Sequence, residues 1–533
     1  MKTIVIILFL ASFTNINAQS QSVLEHNNTR AYLPTEGMFF RDVVNNTPGY
    51  EVPKGDGIYT LYTLVFQYAA KTVQDSVLLC QGGFSPTSSD VQSGPYRTNH
   101  NYDSAYQTTN NNKYWEICQE EIDIYRNWWE ACNGPNQNPN DCSTLPTPSN
   151  ESLTRIYEWP AHGDVNQGEA YWQAPFYDHP ESSQGVYDPA GGDYPLIRGC
   201  CATYLVQNDD VQNTISNTPS LGIEMHYMFY HYQNWGTLND VTFAEVRIIN
   251  YSGIDYPEFT YGLHADMDLG NPLDDYFGSD SLRSMAFTYN GDQNDENFAA
   301  TLGYGLNPPA FGITALETPL TSATIPASGS GLTAAEYWNQ MNGLYPNCQA
   351  IVTPQGDTTK FLYNGNPHFM STWSEESLGN PIGDRRALIQ TNHGSFVDGE
   401  EILQTYALVF ARDGSTRLEN VDDLFVKVDE VHDFYDTINN AQCSGGVLSL
   451  KKVSKEGFTI APNPSSSVVN IESDANTEFE VSLLDASGKV VMQNQDSNNG
   501  TLQIQVDSFE NGLYFLVFTS KGVRSSKRLI IQH

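Results

Sequence analysis

Short apolar runs separated by polar, turn-forming residues dominate the sequence. Segments 60–66, 245–250 and 403–410 are rich in β-branched and aromatic side chains and are bounded by Gly, Pro, Asn or Asp. This pattern predicts β-strands. Helical periodicity is clearest between Lys113 and Ala131, where apolar side chains recur among acidic ones. We therefore expect an all-β protein, with a large multi-sheet β-sandwich as its central region and one amphipathic helix.

The N-terminus has the three parts of a secretory signal peptide. Lys2 precedes an apolar stretch from Ile4 to Phe13, and a short polar segment ends at Ala18. We predict a signal peptide at residues 1–18. No later stretch reaches the roughly 18 to 20 consecutive apolar residues that a membrane-spanning helix needs. The mature chain is therefore expected to contain no transmembrane helix.

Acidic residues greatly outnumber basic ones. The 533 residues include 63 Asp and Glu against 26 Lys and Arg, a formal net charge of −37. Segment 451–533 holds 9 acidic and 8 basic residues, so 54 acidic and 18 basic residues precede it. Such a field repels nucleic-acid phosphates and anionic lipid, and it attracts divalent cations. We expect no nucleic-acid partner.

Eight cysteines in a chain with an export signal permit disulfide bonds. Cys118, Cys132 and Cys142 are the nearest neighbours in the sequence and could close small loops. No Cys-x-x-Cys pair or suitably spaced histidine accompanies them, so a zinc site is not expected.

A change in composition near residues 444–458 predicts a domain boundary. Ser444-Gly445-Gly446 and a basic run from Lys451 separate the acidic region from the last block of the chain. The expected organisation is a signal peptide at 1–18, an acidic β-rich region at 19–444, a linker at 445–457 and a C-terminal domain at 458–533. The acidic region could contain two subdomains that meet near residues 160–200.

The C-terminal block reads as a small immunoglobulin-like β-sandwich, with short alternating strands between Gly-containing turns. It also resembles the type IX secretion C-terminal sorting domain of Bacteroidetes. The resemblance covers about 75 residues and several ordered motifs: Pro462-Asn463-Pro464, Gly488-Lys489, Gly512-Leu513-Tyr514 and Lys527-Arg528.

This resemblance implies a route and a destination. It implies recognition by the type IX secretion machinery, passage across the outer membrane, and release or attachment to surface lipopolysaccharide. We therefore expect a protein that is secreted or held on the outer-membrane surface.

A run of acidic residues in the middle of the chain is the strongest candidate for a metal site. Calcium takes six to eight oxygen ligands, and closely spaced carboxylates and amides on turns can supply several. The alternative is that these side chains only cap turns and face water. The predicted calcium ligands are Asp266, Asp268, Asp274, Asp275, Asp280, Asn290, Asp292 and Asp295.

A second acidic segment, 178–195, is a weaker candidate. Aligned on Gly185, the positions that would hold Asp or Asn in a regular calcium loop hold Pro180, Ser182 and Gln184. Asp188 and Asp193 are the better metal candidates in this segment.

The central region also resembles a group of large exported Bacteroidetes proteins without an established activity. The shared phrases include Tyr187-Asp188-Pro189, Asp268-Leu269-Gly270, Tyr289-Asn290-Gly291-Asp292 and Gly383-Asp384-Arg385-Arg386. The sequence departs from that group at 262–265 and near Asp178. The resemblance implies export but no particular chemistry.

Common catalytic motifs are missing from the sequence. There is no Gly-x-Ser-x-Gly elbow and no His-Glu-x-x-His helix. His264, Asp266 and Asp268 would share one face of a strand and could form a small metal cluster. We predict no catalytic residues and expect a calcium-stabilised protein that acts in adhesion, structural display or binding of a glycan or protein. The alternative is a secreted hydrolase for polysaccharide or protein, which would require a cleft with facing carboxylates.

Overall fold

The computed structural model describes residues 21–533, except for residues 36, 84–88, 111–112, 136, 234–235, 328–331, 438–457, 474–478, 486–489, 498–499, 510 and 521–522. The predicted signal peptide and linker lie outside the described residues. The chain divides into two compact units, Met1–Ser444 and Gly445–His533. No helix within the described part of the chain is long and apolar enough to cross a membrane.

The first unit is built mainly from strands. Strand accounts for 38% and helix for 18% of the structure, which confirms the all-β expectation. The strands are β1 (Gln21–Leu24), β2 (Arg30–Pro34), β3 (Arg41–Asp42), β4 (Thr47–Pro48), β5 (Tyr50–Glu51), β6 (Tyr59–Leu61), β7 (Thr63–Lys71), β8 (Val77–Gln81), β9 (Gln92–Ser93), β10 (Trp115–Cys118), β11 (Phe176–Tyr177), β12 (Tyr194–Pro195), β13 (Cys201–Asn208), β14 (Ile223–His231), β15 (Val241–Asn250), β16 (Tyr256–Asp266), β17 (Asp275–Asp280), β18 (Met285–Asn290), β19 (Asn294–Asp295), β20 (Gly305–Leu306), β21 (Ala310–Ala315), β22 (Ser322–Thr324), β23 (Ile351–Val352), β24 (Thr358–Thr359), β25 (Arg386–Phe396) and β26 (Glu401–Ala411).

Two large antiparallel sheets organise this unit. The nine-stranded sheet has the order β10-β13-β14-β15-β26-β21-β18-β17, with β9 added beside β13. The five-stranded sheet has the order β22-β25-β16-β7-β8, and a four-stranded sheet has the order β1-β2-β5-β6. Four two-stranded ribbons complete the set: β3-β4, β11-β12, β19-β20 and β23-β24.

The nine-stranded sheet is buried on both faces. On β14, Met225, Tyr227 and Phe229 belong to the core shared with the five-stranded sheet, whereas Met228 and Tyr230 belong to a second core on the opposite face. Every residue of β13 and β14 is buried. A strand covered on both faces reads as a continuous apolar run rather than an alternating one. The architecture is therefore a sandwich with a further layer of helices.

Helices cover the second face of the nine-stranded sheet. In α7, Val421, Leu424, Val428 and Val431 recur at helical spacing and join that core. The helices of the first unit are α1 (Ser104–Asn110), α2 (Gln119–Cys132), α3 (Pro139–Thr144), α4 (Asn150–Tyr157), α5 (Ala334–Met341), α6 (Glu375–Leu378) and α7 (Arg417–Thr437), with 3-10 turns at Val165–Gln167, Pro189–Gly191 and Gly236–Asp240.

The predicted amphipathic helix is α2, but it begins at Gln119 rather than at Lys113. Trp115 to Cys118 instead form β10, which pairs with β13. A disulfide joins Cys118 to Cys201 across this pair. Tertiary pairing thus holds the first residues of the apolar pattern extended. The Glu121 side chain accepts a hydrogen bond from the Cys118 backbone N–H and caps the helix.

Cysteine pairing agrees in part with the expected small loops. Cys132 and Cys142 are joined by a disulfide across ten residues of chain, whereas Cys118 pairs with the distant Cys201. Cys80 is a buried free thiol and Cys348 an exposed one.

The second unit is a β-sandwich of its own. Its strands are β27 (Phe458–Ala461), β28 (Val468–Ser473), β29 (Glu480–Asp485), β30 (Val490–Asp496), β31 (Thr501–Gln505), β32 (Gly512–Ser520) and β33 (Val523–Ile531). They form one sheet of order β27-β28-β31 and another of order β30-β29-β32-β33. Apolar side chains from both sheets make its core, among them Val469, Ile471, Val481, Leu483 and Leu516.

Candidate metal-binding carboxylates

Six of the eight predicted calcium ligands fall into two groups around the connection between β16 and β17. Asp266 ends β16, Asp268 follows it, and both approach Asp384, which lies just before β25. We call Asp266, Asp268 and Asp384 the cleft carboxylates. Asp274, Asp275, Asn290 and Asp295 lie around one end of the β17-β18 hairpin, and we call them the buried acidic cluster.

The cleft carboxylates are close enough to share a ligand. One carboxylate oxygen from each of the three lies within 4.8 Å of the others. They line a cleft of about 880 Å³, whose wall also includes Tyr62, His264, Tyr363, Glu375, Asn380, Arg385 and Arg386. Arg41 packs over the Tyr62 ring at 3.9 Å from its centroid.

Two arginines neutralise part of the negative charge of the cleft. Arg386 Nε lies 2.9 Å from Asp266 Oδ1, an ion pair that is not aligned for a hydrogen bond. The same guanidinium donates to Asp384 Oδ2 at 3.0 Å. Arg385 donates from Nε and Nη2 to both oxygens of Glu375, each at 2.9 Å.

Asp268 differs from Asp266 and Asp384 because, within the described part of the chain, its carboxylate forms no ion pair, whereas both of the others pair with Arg386. Burial, followed by the negative charges of Asp266 and Asp384, raises the pKa of Asp268 to about 8. Burial also raises the pKa of Asp266 to about 6, although Arg386 opposes this shift. The cleft carboxylates therefore favour a proton or a cation between them.

The buried acidic cluster is created by the strand register. Asp275 and Asn290 are paired positions on β17 and β18, and Asp274 immediately precedes this pair. Asp295 lies in the short β19, and its Oδ1 accepts a hydrogen bond from Asn271 N at 3.0 Å. The loop before β17 thus folds back over the end of the hairpin.

Several oxygens of this cluster are satisfied by loop donors. Asp295 Oδ2 accepts from Tyr304 N at 2.5 Å, and Asp275 Oδ2 accepts from Leu269 N at 3.1 Å. Asp274 Oδ2 accepts from Asn271 Nδ2 at 2.9 Å. Gly270 is required at its position because its φ is +70° and an added Cβ would lie 2.0 Å from Asp295 Oδ2.

Other atoms of the cluster are buried without a partner. Asp274 Oδ1, Asp275 Oδ1 and Asn290 Nδ2 have no hydrogen-bond partner among the described residues. Asp275 and Asn290 are fully buried, and Asp274 is 5% exposed. Such orphaned polar atoms each cost roughly 1–3 kcal/mol unless a ligand satisfies them.

Burial raises the pKa of the three carboxyl groups in this cluster. It raises the pKa of Asp274 to about 7, with the nearby Asp295 charge adding to the effect. It raises the pKa of Asp295 to about 6, although hydrogen bonds from Tyr304 and Asn271 oppose the shift. Burial also raises the pKa of Asp275 well above its ordinary value, and the charges of Asp274 and Asp268 contribute in the same direction.

Two predicted ligands lie apart from both groups. Asp280 is at the other end of β17, where it pairs with Arg283 at 2.7 Å and accepts hydrogen bonds from Leu282 N and Arg283 N. Asp292 is exposed on the turn after β18 and accepts from Asn294 N at 2.8 Å.

The weaker candidates, Asp188 and Asp193, have donors from their own loop. Asp193 is buried and accepts from His179 N and Asp188 N, each at 2.7 Å. Asp188 Oδ1 accepts from Ala190 N at 3.1 Å and caps a 3-10 turn. Their geometry fits a structural role in the loop.

Sequence reasoning missed Asp384 and Glu375 as site residues. Asp384 lies in the phrase Gly383-Asp384-Arg385-Arg386, which the sequence analysis quoted only for its resemblance to other exported proteins. His264 lines the same cleft as predicted from its strand position, and burial lowers its pKa to about 3. A third close group, His26 with Cys118 and Cys201, is no metal site because the two cysteines form a disulfide.

In the second unit, the sorting motifs converge on the last strand. Asn463 Oδ1 accepts from Ile530 N at 2.8 Å, within the Pro462-Asn463-Pro464 segment. Gly512, Leu513 and Tyr514 pair with Ile531, Ile530 and Leu529. Lys527 and Arg528 pair with Leu516 and Phe515 in the same ladder. Gly488 and Lys489 lie outside the described residues.

Comparison with known proteins identifies the second unit only. A family model described as "Secretion system C-terminal sorting domain" matches residues 459–532. No curated protein matches the sequence. Among solved structures, a polysaccharide lyase aligns with 9% identity and a TM-score of 0.22, covering 58% of this chain and 34% of the lyase chain. The chain thus spans about a third of that lyase.

A TM-score this low establishes no shared fold for the first unit. The sorting domain, in contrast, combines a family match with the predicted motifs in their predicted order. The chain is therefore a cargo protein of the type IX secretion system, exported to the cell surface or the extracellular space.

Proposed function

We propose that this cargo is a calcium-stabilised extracellular binding protein. The observation that carries the proposal is the pair of unsatisfied carboxylate oxygens, Asp274 Oδ1 and Asp275 Oδ1, in the buried acidic cluster. A cation bound at these buried oxygens would replace the missing hydrogen bonds and offset the negative charge of the carboxylates.

Calcium fits this site better than a softer metal. The available donors are the carboxylate oxygens of Asp274, Asp275 and Asp295 around the same hairpin end, with Asn290 Oδ1, which already accepts from Asp292 N, as a fourth oxygen. Oxygen donors of this kind suit hard cations, whereas zinc and copper sites are usually built with His or Cys. Calcium would connect β17, β18 and the loop that carries Asp295.

The cleft carboxylates would provide a second, more accessible cation position. Asp268 is partly exposed and lines the cleft, so a cation there could also contact a ligand in the cleft. We also propose that the sorting domain attaches the protein to surface lipopolysaccharide. This second part of the proposal is supported only by the type of domain.

The test is a thermal melt of the full chain in calcium and in chelator, for wild type and Asp275→Asn. Wild type should melt at a higher temperature in calcium because calcium binds only the folded state. Asp275→Asn removes a buried charge, so its melting temperature in chelator should equal or exceed that of wild type. Its response to calcium should be lost or strongly reduced.

Asp292→Asn is the matched control, since it makes the same change of charge on the exposed turn nearby. This variant should keep the full calcium response. If Asp275→Asn retained the response, or if wild type showed none, the proposed site would be refuted.

A hydrolase is the second candidate function, and the cleft favours it. General acid catalysis needs a carboxyl group that stays protonated near neutral pH, and the raised pKa of Asp268 beside Asp266 meets this need. Turnover of a polysaccharide or peptide that is abolished in Asp268→Asn but retained in Asp292→Asn would establish the hydrolase. Absence of turnover across a broad substrate screen would leave the binding role.

A further inference from the structure

An exposed tryptophan, Trp172, packs against other aromatic rings in a segment that is distant in sequence from the carboxylate groups. We call His162, Tyr171 and Phe176 its aromatic support. Trp172 is 55% exposed, and Gly185 lies beside its indole, since a Cβ added to Gly185 would be 3.7 Å from Trp172 Cη2. The next residue, Val186, is 48% exposed. Phe176 stacks nearly parallel to the indole, with ring centroids 6.0 Å apart and an interplanar angle of 19°. His162 and Tyr171 make T-shaped contacts with the indole, with ring centroids 5.3 and 5.1 Å away.

The support is itself fixed by hydrogen bonds. His162 Nδ1 lies 3.2 Å from Tyr171 O, and His162 Nε2 accepts from Tyr187 N at 2.9 Å. Both ring nitrogens of His162 are thus held by backbone groups. The His162 ring also stacks on Tyr171 at 4.0 Å. The Tyr171 hydroxyl donates to Gly185 O at 2.8 Å, which ties the loop beside the indole to the same support.

We propose that Trp172 and Val186 form a binding surface for a neutral polysaccharide chain. The C–H bonds on one face of a sugar ring carry a small positive charge, and the face of an aromatic ring carries a negative one. A flat indole held in place loses little side-chain entropy when a sugar ring stacks on it. The immobilised Trp172 provides such a surface.

The negative charge of the segment around Trp172 disfavours binding of anionic ligands. Residues 156–197 contain seven acidic residues and no Lys or Arg. The flanking arginines are ion-paired, Arg155 with Glu121 and Arg198 with Glu245. Three more distant arginines are also ion-paired: Arg97 with Glu169, Arg126 with Asp123, and Arg247 with Glu401. A nucleic acid, an anionic lipid or an acidic polysaccharide would meet net negative charge here, since only Glu169 of the seven acidic residues is paired with one of these arginines.

The exposed apolar area at Trp172 is too small for a stable interface with a protein partner. An aromatic side chain offers roughly 150–250 Å² of surface, so the exposed part of Trp172 together with Val186 is far below the roughly 800 Å² per partner of a stable protein interface. One sugar ring covers an indole, and further rings of a chain could extend past Val186. The neighbouring Ser183 and Gln184 are exposed and offer polar groups for sugar hydroxyls.

The experiment is retention of the purified full chain on insoluble cellulose, chitin, β-1,3-glucan and starch granules, with alginate and chondroitin sulfate as acidic competitors. We expect retention on at least one of the neutral polysaccharides. Trp172→Ala should weaken it at least tenfold, and the acidic polysaccharides should not compete.

Phe369→Ala is the matched control. Phe369 is 56% exposed and stacks on His368, so the change removes an equally exposed aromatic ring on a histidine support elsewhere. This variant should bind as wild type does. If Trp172→Ala fails to fold, Val186→Glu tests the same surface by placing a charge next to Gly185, the residue that lies beside the indole, and it should cause a comparable loss.

Three results would overturn the proposal. The first is absence of retention on all four neutral polysaccharides, and the second is retention that Trp172→Ala and Val186→Glu leave unchanged. The third is self-association of wild type in sedimentation that Trp172→Ala abolishes, which would make a second copy of the chain the occupant. None of these results depends on calcium, so the calcium proposal would stand or fall separately.

Discussion

Asp275 and Asn290 occupy opposed positions on β17 and β18, and neither Asp275 Oδ1 nor Asn290 Nδ2 has a hydrogen-bond partner among the described residues. Both residues are fully buried. A folded hairpin that places an acidic and an amide side chain together in this way carries an energetic cost at neutral pH.

Stability in chelator should fall as pH rises. The pKa values of Asp295, Asp274 and Asp268 are raised to about 6, 7 and 8. A carboxyl group with a raised folded-state pKa contributes stability below its unfolded pKa and loses it as pH rises through the folded value. The free energy of unfolding should therefore drop by a few kcal/mol between about pH 5.5 and 8.5.

Calcium should flatten this dependence, because it replaces the protons that the carboxylates lose. Denaturant titrations at pH 6 and 8.5, each with calcium and with chelator, measure the effect. Identical pH dependence in the two conditions would contradict the prediction.

Arg386→Gln should destabilise the protein more at pH 8 than at pH 5. Arg386 contacts both Asp266 and Asp384, and its loss leaves the buried Asp266 charge without a cation. At pH 8 we expect the free energy of unfolding to fall by about 1–3 kcal/mol. This is less than the loss expected for a fully buried ion pair, because Arg386 is partly exposed. At pH 5 the Asp266 carboxyl group is protonated in most molecules, so the substitution should lower the free energy of unfolding by less.

Lys71→Gln is the control for Arg386→Gln, since Lys71 pairs with the exposed Asp75 and Glu258. Its effect should stay within about 0.5 kcal/mol at both pH values. An equally large effect of Arg386→Gln at pH 5 and pH 8 would mean that packing, rather than charge, is what Arg386 provides.

The two described disulfides should contribute unequally to stability. Cys118–Cys201 closes 83 residues of chain and Cys132–Cys142 closes ten. Chain-entropy arguments assign about 4.5 kcal/mol to the longer loop and about 2.7 kcal/mol to the shorter. Double serine variants compared by denaturant unfolding measure the difference. A larger loss for the Cys132–Cys142 pair would show that the entropy argument does not hold here.

Deletion of residues 458–533 should stop export at the periplasm. The family match places the sorting domain within this segment, and the first unit is compact on its own. Cell fractionation and protease accessibility on intact cells measure location, with the full chain as the control. The truncated protein should still show the calcium-dependent melt. Unchanged surface display of the truncated chain would refute the role assigned to the domain.

Much of the fold could be read from the sequence, because strand patterns are local. The apolar runs at 245–250 and 403–410 are paired strands of the nine-stranded sheet. The long helix α7 was not predicted, although Val421, Leu424, Val428 and Val431 have helical spacing. The acidic residues between them resemble the polar turns that bound strands elsewhere in the chain.

The candidate sites could be read less completely, because they depend on distant contacts. Asp266, Asp268, Asp274 and Asp275 are close in sequence and were predicted as ligands. Asp384 comes to them only through the pairing of β25 with β16. Asp280 was grouped with them by proximity in sequence, but strand geometry carries it to the opposite end of β17.

The bond between Cys118 and Cys201 closes a ring of chain that includes α2, α4 and Trp172. A secreted protein meets proteases, and a single cut anywhere between residues 119 and 200 would leave both fragments covalently attached to the sheet. Nicked molecules would separate on a gel only after reduction. The segment that carries the exposed indole can thus survive damage that would remove an ordinary surface loop.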